Sequence, residues 1–304
     1  MKRTAGKWDW NEWPIYFLPV NTWAFKNADT IGAEGSMLIA TNELMGEANT
    51  KRFEGMLDQG KRVLLDSGVY WLATQHAARH EMTMDEALSL APDEVDNWQM
   101  LLSLYIATVK AYESHLWGYI ELDQGGISNK KKTRAYLEGL GLQPIPVYHP
   151  LNDGWDYFDE LASNYERICV GNIVRANRET RTRILATIWE RKRKYPHLWV
   201  HALGMTPNDM TLAYMMNSFD SSSWLHGVMY GMTKAATVNS PMTELKDGFQ
   251  YRRDVPIDAD TGHTKAFVMC GYSARMLNRS LAQFRRDMEQ ELGADMGLFD
   301  DHHG

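Results

Sequence analysis

Cysteine is scarce in these 304 residues: there are two, Cys169 and Cys270. They lie far apart with no C-x-x-C pairing, which argues against a disulfide framework and against a cysteine zinc site. Long apolar runs are missing as well. None approaches the roughly 20 residues that cross a bilayer, and the opening MKRTAGKWDWNEWP has no apolar core of a secretory signal. The expectation is a soluble protein of a reducing cytoplasm, with no membrane partner. A surplus of positive charge is also absent. The formal net charge is −7, which argues against a general affinity for polyphosphate but leaves room for a local basic patch. No linker, repeat or low-complexity segment divides the chain. With 44% hydrophobic and 23% charged residues, the composition is that of a globular protein with material for a large core.

Eight short strand-like runs recur along the sequence: IYFLPV (15–20), SMLIAT (36–41), RVLLDSG (62–68), WGYIELD (117–123), QPIPVYH (143–149), RICVGNI (167–173), LWVHALG (198–204) and NSFDSSSW (217–224). Segments of helical periodicity separate several of them. One is expected to start at Pro92, a good first-turn residue, with Val95, Trp98, Leu101, Leu102, Tyr105, Ile106, Val109 and Tyr112 on one face. Another is expected from Thr206-Pro207, and a C-terminal helix is marked by Met276, Leu277, Leu281, Phe284 and Met288. Strands alternating with helices make parallel βα units. Eight units predict an α/β fold, a (β/α)8 TIM barrel, as one domain over 1–292 followed by a polar tail at 293–304. A doubly wound open sheet is the alternative.

In such a barrel the chemistry sits at the C-terminal ends of the strands. Three of the eight runs reach aspartate there: Asp66, Asp123 and Asp220. Each has a plain explanation. Asp66-Ser67-Gly68 is good turn chemistry, Asp123 precedes Gln-Gly-Gly, and Asp220 before three serines suits a helix cap. Three acids at the same end of one layer fit a shared carboxylate site better.

The ordered segments DSGVY (66–70), IELD (120–123), VGN (170–172), HALGMTP (201–207) and SFDSSSW (218–224) together resemble the tRNA-guanine transglycosylase family. The likeness spans about 60–224. It implies Asp220 as nucleophile and Asp66 as general acid/base. It also implies a base-binding set of Asp123, Ser67, Gly68, Gly171, Asn172, Gly204 and His149. Two positions depart from the family pattern: Val69 replaces the second glycine of its DSGG motif, and Asn172 replaces the second of its base-binding glycine pair. The family's zinc subdomain has no counterpart here, and no metal or other cofactor is expected. Its loss resembles the branch, often phage-encoded, that inserts 7-deazaguanine bases into DNA. For a phage protein the compartment would be the host cytoplasm. The implied partners are DNA, with tRNA as the alternative, and a 7-deazaguanine base such as preQ0. A homodimer stays open as the oligomeric state.

Exchange at C1′ needs a carboxylate nucleophile to trap the sugar and a second carboxyl group to handle the proton. A duplex base must be flipped out to reach such a pocket. Tyr70, Trp71 and Trp224 follow strand ends, where they either stack a base or pack the rim. Lys130, Lys131, Lys132 and Arg134 are expected in a loop after Asp123, as backbone contacts together with Arg175 and Arg178. The basic run at 191–194 suits a solvated helix face. His76, His80, His149 and His201 are scattered, and each suits packing or a polar contact better than a metal-dependent hydrolase. Base exchange on tRNA, a non-catalytic binding subunit and a hydrolase with water as acceptor complete the alternatives.

Overall fold

The computed structural model describes residues 14–20, 35–225, 274 and 278–287. All eight expected strands are present: β1 (Ile15–Val20), β2 (Ser36–Ala40), β3 (Val63–Asp66), β4 (Gly118–Tyr119), β5 (Val147–Tyr148), β6 (Arg167–Val170), β7 (Trp199–Ala202) and β8 (Ser218–Asp220). They form one sheet in the order β4-β3-β2-β1-β8-β7-β6-β5, and every pairing is parallel. All strand C-termini therefore share one rim.

The sheet curls so that its inner face packs on itself. Side chains alternate along a strand, and the inner set is Ile15, Phe17, Leu38, Leu64, Trp117, Ile120, Ile145, Val147, Cys169 and Trp199. Phe17 and Trp117 lie 4.9 Å apart between ring centroids, and Trp117 and Trp199 lie 5.6 Å apart. These contacts join strands that are not neighbours in the sheet. The opposite face carries Tyr16, Leu18, Met37, Ile39, Val63, Leu65, Ile168, Val170 and Val200 against the surrounding helices.

The expectation of a closed barrel is met only in part. Strands β4 and β5 end the sheet and share no ladder. A single parallel bridge, Ile120 with Ile145, links them, through Ile145 N–H to Tyr119 O at 2.8 Å and Glu121 N–H to Ile145 O at 3.0 Å. The cause lies in QPIPV: Pro144 and Pro146 have no N–H to donate, so β5 is cut to two residues. Side chains complete the seam. The buried Glu121 carboxylate accepts the Val147 N–H at 2.6 Å, and Lys130 Nζ donates to Val147 O at 3.1 Å.

Helices α1 (Glu47–Asp58), α2 (Val69–His80), α3 (Met84–Ser89), α4 (Trp98–Tyr112), α5 (Gly126–Gly139), α6 (Trp155–Asn164), α7 (Arg178–Lys192) and α8 (Asp209–Ala213) cover the outer face. Helix α4 buries Trp98, Leu101, Tyr105 and Val109 of the predicted stripe, together with Thr108. It starts at Trp98 and not at Pro92, because Asn97 turns left-handed at φ 62° and Pro92–Glu94 forms a separate 3₁₀ turn. Helix α8 starts two residues beyond Pro207, where Asn208 accepts from the N–H groups of Met210 and Thr211. Leu281 and Phe284 of the expected C-terminal helix pack on the core from a helical stretch at 278–287. Met276, Leu277, Met288, Cys270 and the tail at 293–304 lie outside the described residues. Among the described residues, no helix is long and apolar enough to cross a membrane.

Candidate active site

Strand parity builds the site. Leu64 points inward, so Asp66 two residues on does too. By the same alternation Val147 leads to His149, Cys169 to Gly171, Trp199 to His201 and Ser218 to Asp220. The inner apolar floor thus gives way at the rim to a polar layer.

Asp66 closes β3. Its Oδ2 accepts the Gly68 N–H at 3.2 Å, and its backbone carbonyl accepts the Thr41 hydroxyl at 2.8 Å. Gly68 holds φ +82° and opens α2, a conformation that favours glycine. Ser67 is buried and accepts from Val69 N–H at 3.4 Å. The tripeptide is therefore a turn former as well as a source of the acid. Burial, then the charge of Asp123 and, more weakly, that of Asp220, push the Asp66 carboxyl up to about 7, against the pull of the Gly68 and Ser67 N–H groups.

Asp123 behaves oppositely. Burial works against its charge, but the hydrogen bond and charge of His149, with the charge of Lys130, outweigh it and hold the carboxyl below its ordinary range. His149 Nε2 lies 3.0 Å from Asp123 Oδ2. The imidazole rests on Gly171, where a Cβ would come within 2.7 Å of His149 Cδ2, so that position admits only glycine without moving the ring. Asn172, at φ 53°, sends its amide to Asn152 Oδ1 at 2.6 Å. Its side chain is thus engaged with the loop after β5.

Asp220, 6% exposed, closes β8. Its Oδ1 accepts the Gly204 N–H at 2.9 Å and faces His201 Nε2 at 3.2 Å. Trp199 Nε1–H donates to Ser218 Oγ at 2.8 Å, and Ser218 Oγ lies 2.8 Å from His201 Nδ1. An indole N–H only donates, so the serine proton can pass on to Nδ1. That leaves Nε2–H to point at the carboxylate. Among the described residues nothing hydrogen-bonds to Oδ2. One carboxylate oxygen is thus pinned. A cavity of about 360 Å³ is lined by Asp220 with Pro19, Leu38, Gly204, Thr206 and Ser221 to Ser223. The hydroxyls of Thr206, Ser221 and Ser223 lie 2.7 to 2.8 Å from one another.

No protein-family model matches the chain, and no curated protein matches it either.

The structure separates the expected phosphate contacts. All four residues of the first basic cluster belong to α5 and not to a loop. Lys130 and Arg134 are unavailable to a strand. Lys130 is fully buried and bound to Asp153 at 2.6 Å; Arg134 is buried and bound to Glu121 at 2.8 Å. Positions 130 and 134 share the inward helix face. Lys131 pairs with Glu160 at 2.6 Å, and Lys132 is exposed. Arg175 pairs with Asp85 on α3, and Arg178 is exposed at the start of α7. Of the aromatics, Tyr70 is 70% exposed at the rim, whereas Trp224 is wholly buried and cannot stack a base. Trp71 packs partly buried against the core. Sequence reasoning missed Glu121 and the Trp199-Ser218-His201 chain. The signal for the latter was the shared inward parity of WVH and SFD.

Proposed function

We propose that the protein is a transglycosylase that exchanges guanine in DNA for a 7-deazaguanine base through a covalent aspartyl-glycosyl intermediate. The observation that carries the reading is the division of labour among three acids on one rim. Asp66 is pushed toward neutral pH, Asp123 is held below its ordinary range, and Asp220 has one oxygen pinned and lines a cavity. Acids whose surroundings drive their proton affinities apart mark out acid and base roles.

In this mechanism Asp220 Oδ2 attacks C1′ while the bond from C1′ to the guanine ring nitrogen breaks, and the Asp66 proton passes to the departing purine. The positive charge developing on the sugar is met by the Asp220 carboxylate. The incoming base then gives a ring proton to Asp66, its nitrogen attacks C1′, and the Asp220 ester bond breaks. Two displacements retain configuration at C1′. Asp123 accepts N–H groups of the base edge, with His149 shifting aside on the Gly171 shelf, and His201 with Gly204 N–H fixes which oxygen of Asp220 reacts. Tyr70 offers a stacking face outside the pocket, and Lys132 and Arg178 contact the strand backbone. The reading takes the sheet as a TIM-type barrel closed at the β4–β5 seam and the protein as cytoplasmic. Nucleoside mass spectrometry of both DNA and tRNA from cells expressing the protein with a 7-deazaguanine supply tests it. A modified deoxynucleoside supports the proposal, a modified ribonucleoside moves the substrate to tRNA, and the absence of both refutes base exchange.

A further inference from the structure

We propose that His76, His80 and Asp96 form a binding site for a first-row divalent transition-metal ion such as Zn²⁺, separate from the three acids of the rim. His76 and His80 stand four residues apart on α2, so their rings leave the same helix face. The ring centroids are 4.2 Å apart. Asp96, in the turn ahead of α4, meets both: its Oδ2 lies 2.9 Å from His80 Nε2 and 3.5 Å from His76 Nδ1. One nitrogen of each imidazole and one carboxylate oxygen all fall within 4.8 Å of one another. Among the described residues this is the one such group of three.

The distances suit a metal. A tetrahedral zinc ion with bonds of about 2.0–2.1 Å holds its ligand atoms roughly 3.3 Å apart. Two edges of the triangle already lie within about half an ångström of that value. The Asp96 N–H donates to His76 Nδ1 at 3.1 Å, so that nitrogen carries no proton, and an ion would take its one lone pair in place of this hydrogen bond. His76 is nearly buried, at 5% side-chain exposure, and serves as a fixed ligand, while His80 and Asp96, at 44% and 34%, leave a way in and a position for water.

A second competitor is Arg79, whose Nη1 lies 2.7 Å from the same Asp96 oxygen. Its side chain is 58% exposed and can swing into solvent. The Asp96 carboxylate then exchanges a surface ion pair, the weakest class of such contacts, for a metal bond. The ion would tie α2 to the turn before α4. The His76 position lies about 12 Å along the helix from Gly68, so the effect is to brace the helix that opens behind Asp66 and not to take part in base exchange.

The test is zinc titration of the full-length, chelator-dialysed protein by calorimetry, with thermal unfolding at each zinc concentration. The expected result is one site of micromolar affinity and a Tm that rises with zinc. His80→Ala and Asp96→Asn should each weaken binding at least about tenfold, and Arg79→Ala should tighten it by removing the rival cation. Circular dichroism confirms that the variants are folded. Zinc affinity unchanged in both His80→Ala and Asp96→Asn, or no saturable binding to the wild type at submillimolar zinc, overturns the proposal. None of these readouts needs base exchange, so the result stands apart from the proposed activity.

Discussion

Replacing Asp66 by asparagine should make the protein more stable above neutral pH and leave it unchanged in acid. A carboxyl group that ionises near 3.8 in the unfolded chain and near 7 in the fold binds its proton more tightly when folded. Stability therefore falls as pH rises from about 4 to about 7 and is flat beyond. The difference between 3.8 and about 7, at ~1.4 kcal/mol for each factor of ten in proton affinity, sets a ceiling of roughly 4 kcal/mol. Water reaching the partly buried carboxylate lowers the realised effect. Asparagine keeps an oxygen for the Gly68 N–H and never ionises. Urea unfolding of the wild type and Asp66→Asn should give equal stabilities at pH 4. At pH 8 the variant should lead by roughly 1–4 kcal/mol, with most of the change below pH 7. A pH-independent difference, or a wild type that is the more stable at pH 8, would refute the claim that burial and the neighbouring acids hold this proton. It would also remove Asp66 as the proton carrier.

Asp123→Asn should slow base exchange far more than it weakens strand binding, read as kcat against an oligonucleotide Kd, because the base edge loses its acceptor. Gly171→Ala should do the same at a distance: the added methyl group meets the His149 ring, and a crystal structure should show His149 displaced from Asp123. Lys132→Ala and Arg178→Ala should each flatten log affinity against log salt by about 1. Lys130→Ala should instead destabilise the fold by roughly 3–5 kcal/mol, since it strands the buried Asp153 carboxylate. Equal behaviour of Lys130→Ala and Lys132→Ala in both assays would contradict their assignment to opposite faces of α5.

The strands were legible because each is a short run of apolar and β-branched residues bounded by turn chemistry, and the parallel order follows from the helices between them. The acids at β3 and β8 were legible for the same reason: a buried run that stops on aspartate marks a rim. The β4–β5 seam was not, because it turns on two prolines and on Glu121, whose carboxylate replaces a missing ladder contact. The sequence NKKKTR reads as a basic loop suited to phosphate contacts. Only the helical spacing of Lys130 and Arg134 places them inward, and that spacing is invisible while the segment is taken for a loop. His201 was passed over as an isolated polar residue, yet it shares its inward register with Ser218 across β7 and β8, and this delivers it to Asp220. His76 and His80 needed Asp96, 16 to 20 residues away in sequence, before they formed a group.

The central claim is that Asp220 is a nucleophile. The direct measurement is to trap the reaction with a slow incoming base, denature the protein, and map any covalent protein–DNA adduct by peptide mass spectrometry. The account predicts a glycosyl ester on Asp220 in the wild type, and one that forms far more slowly in Asp66→Asn, which has no proton for the departing base. It predicts no adduct and no base exchange in Asp220→Asn, which should still bind the strand. An adduct on Asp66, or normal exchange by Asp220→Asn, would contradict it.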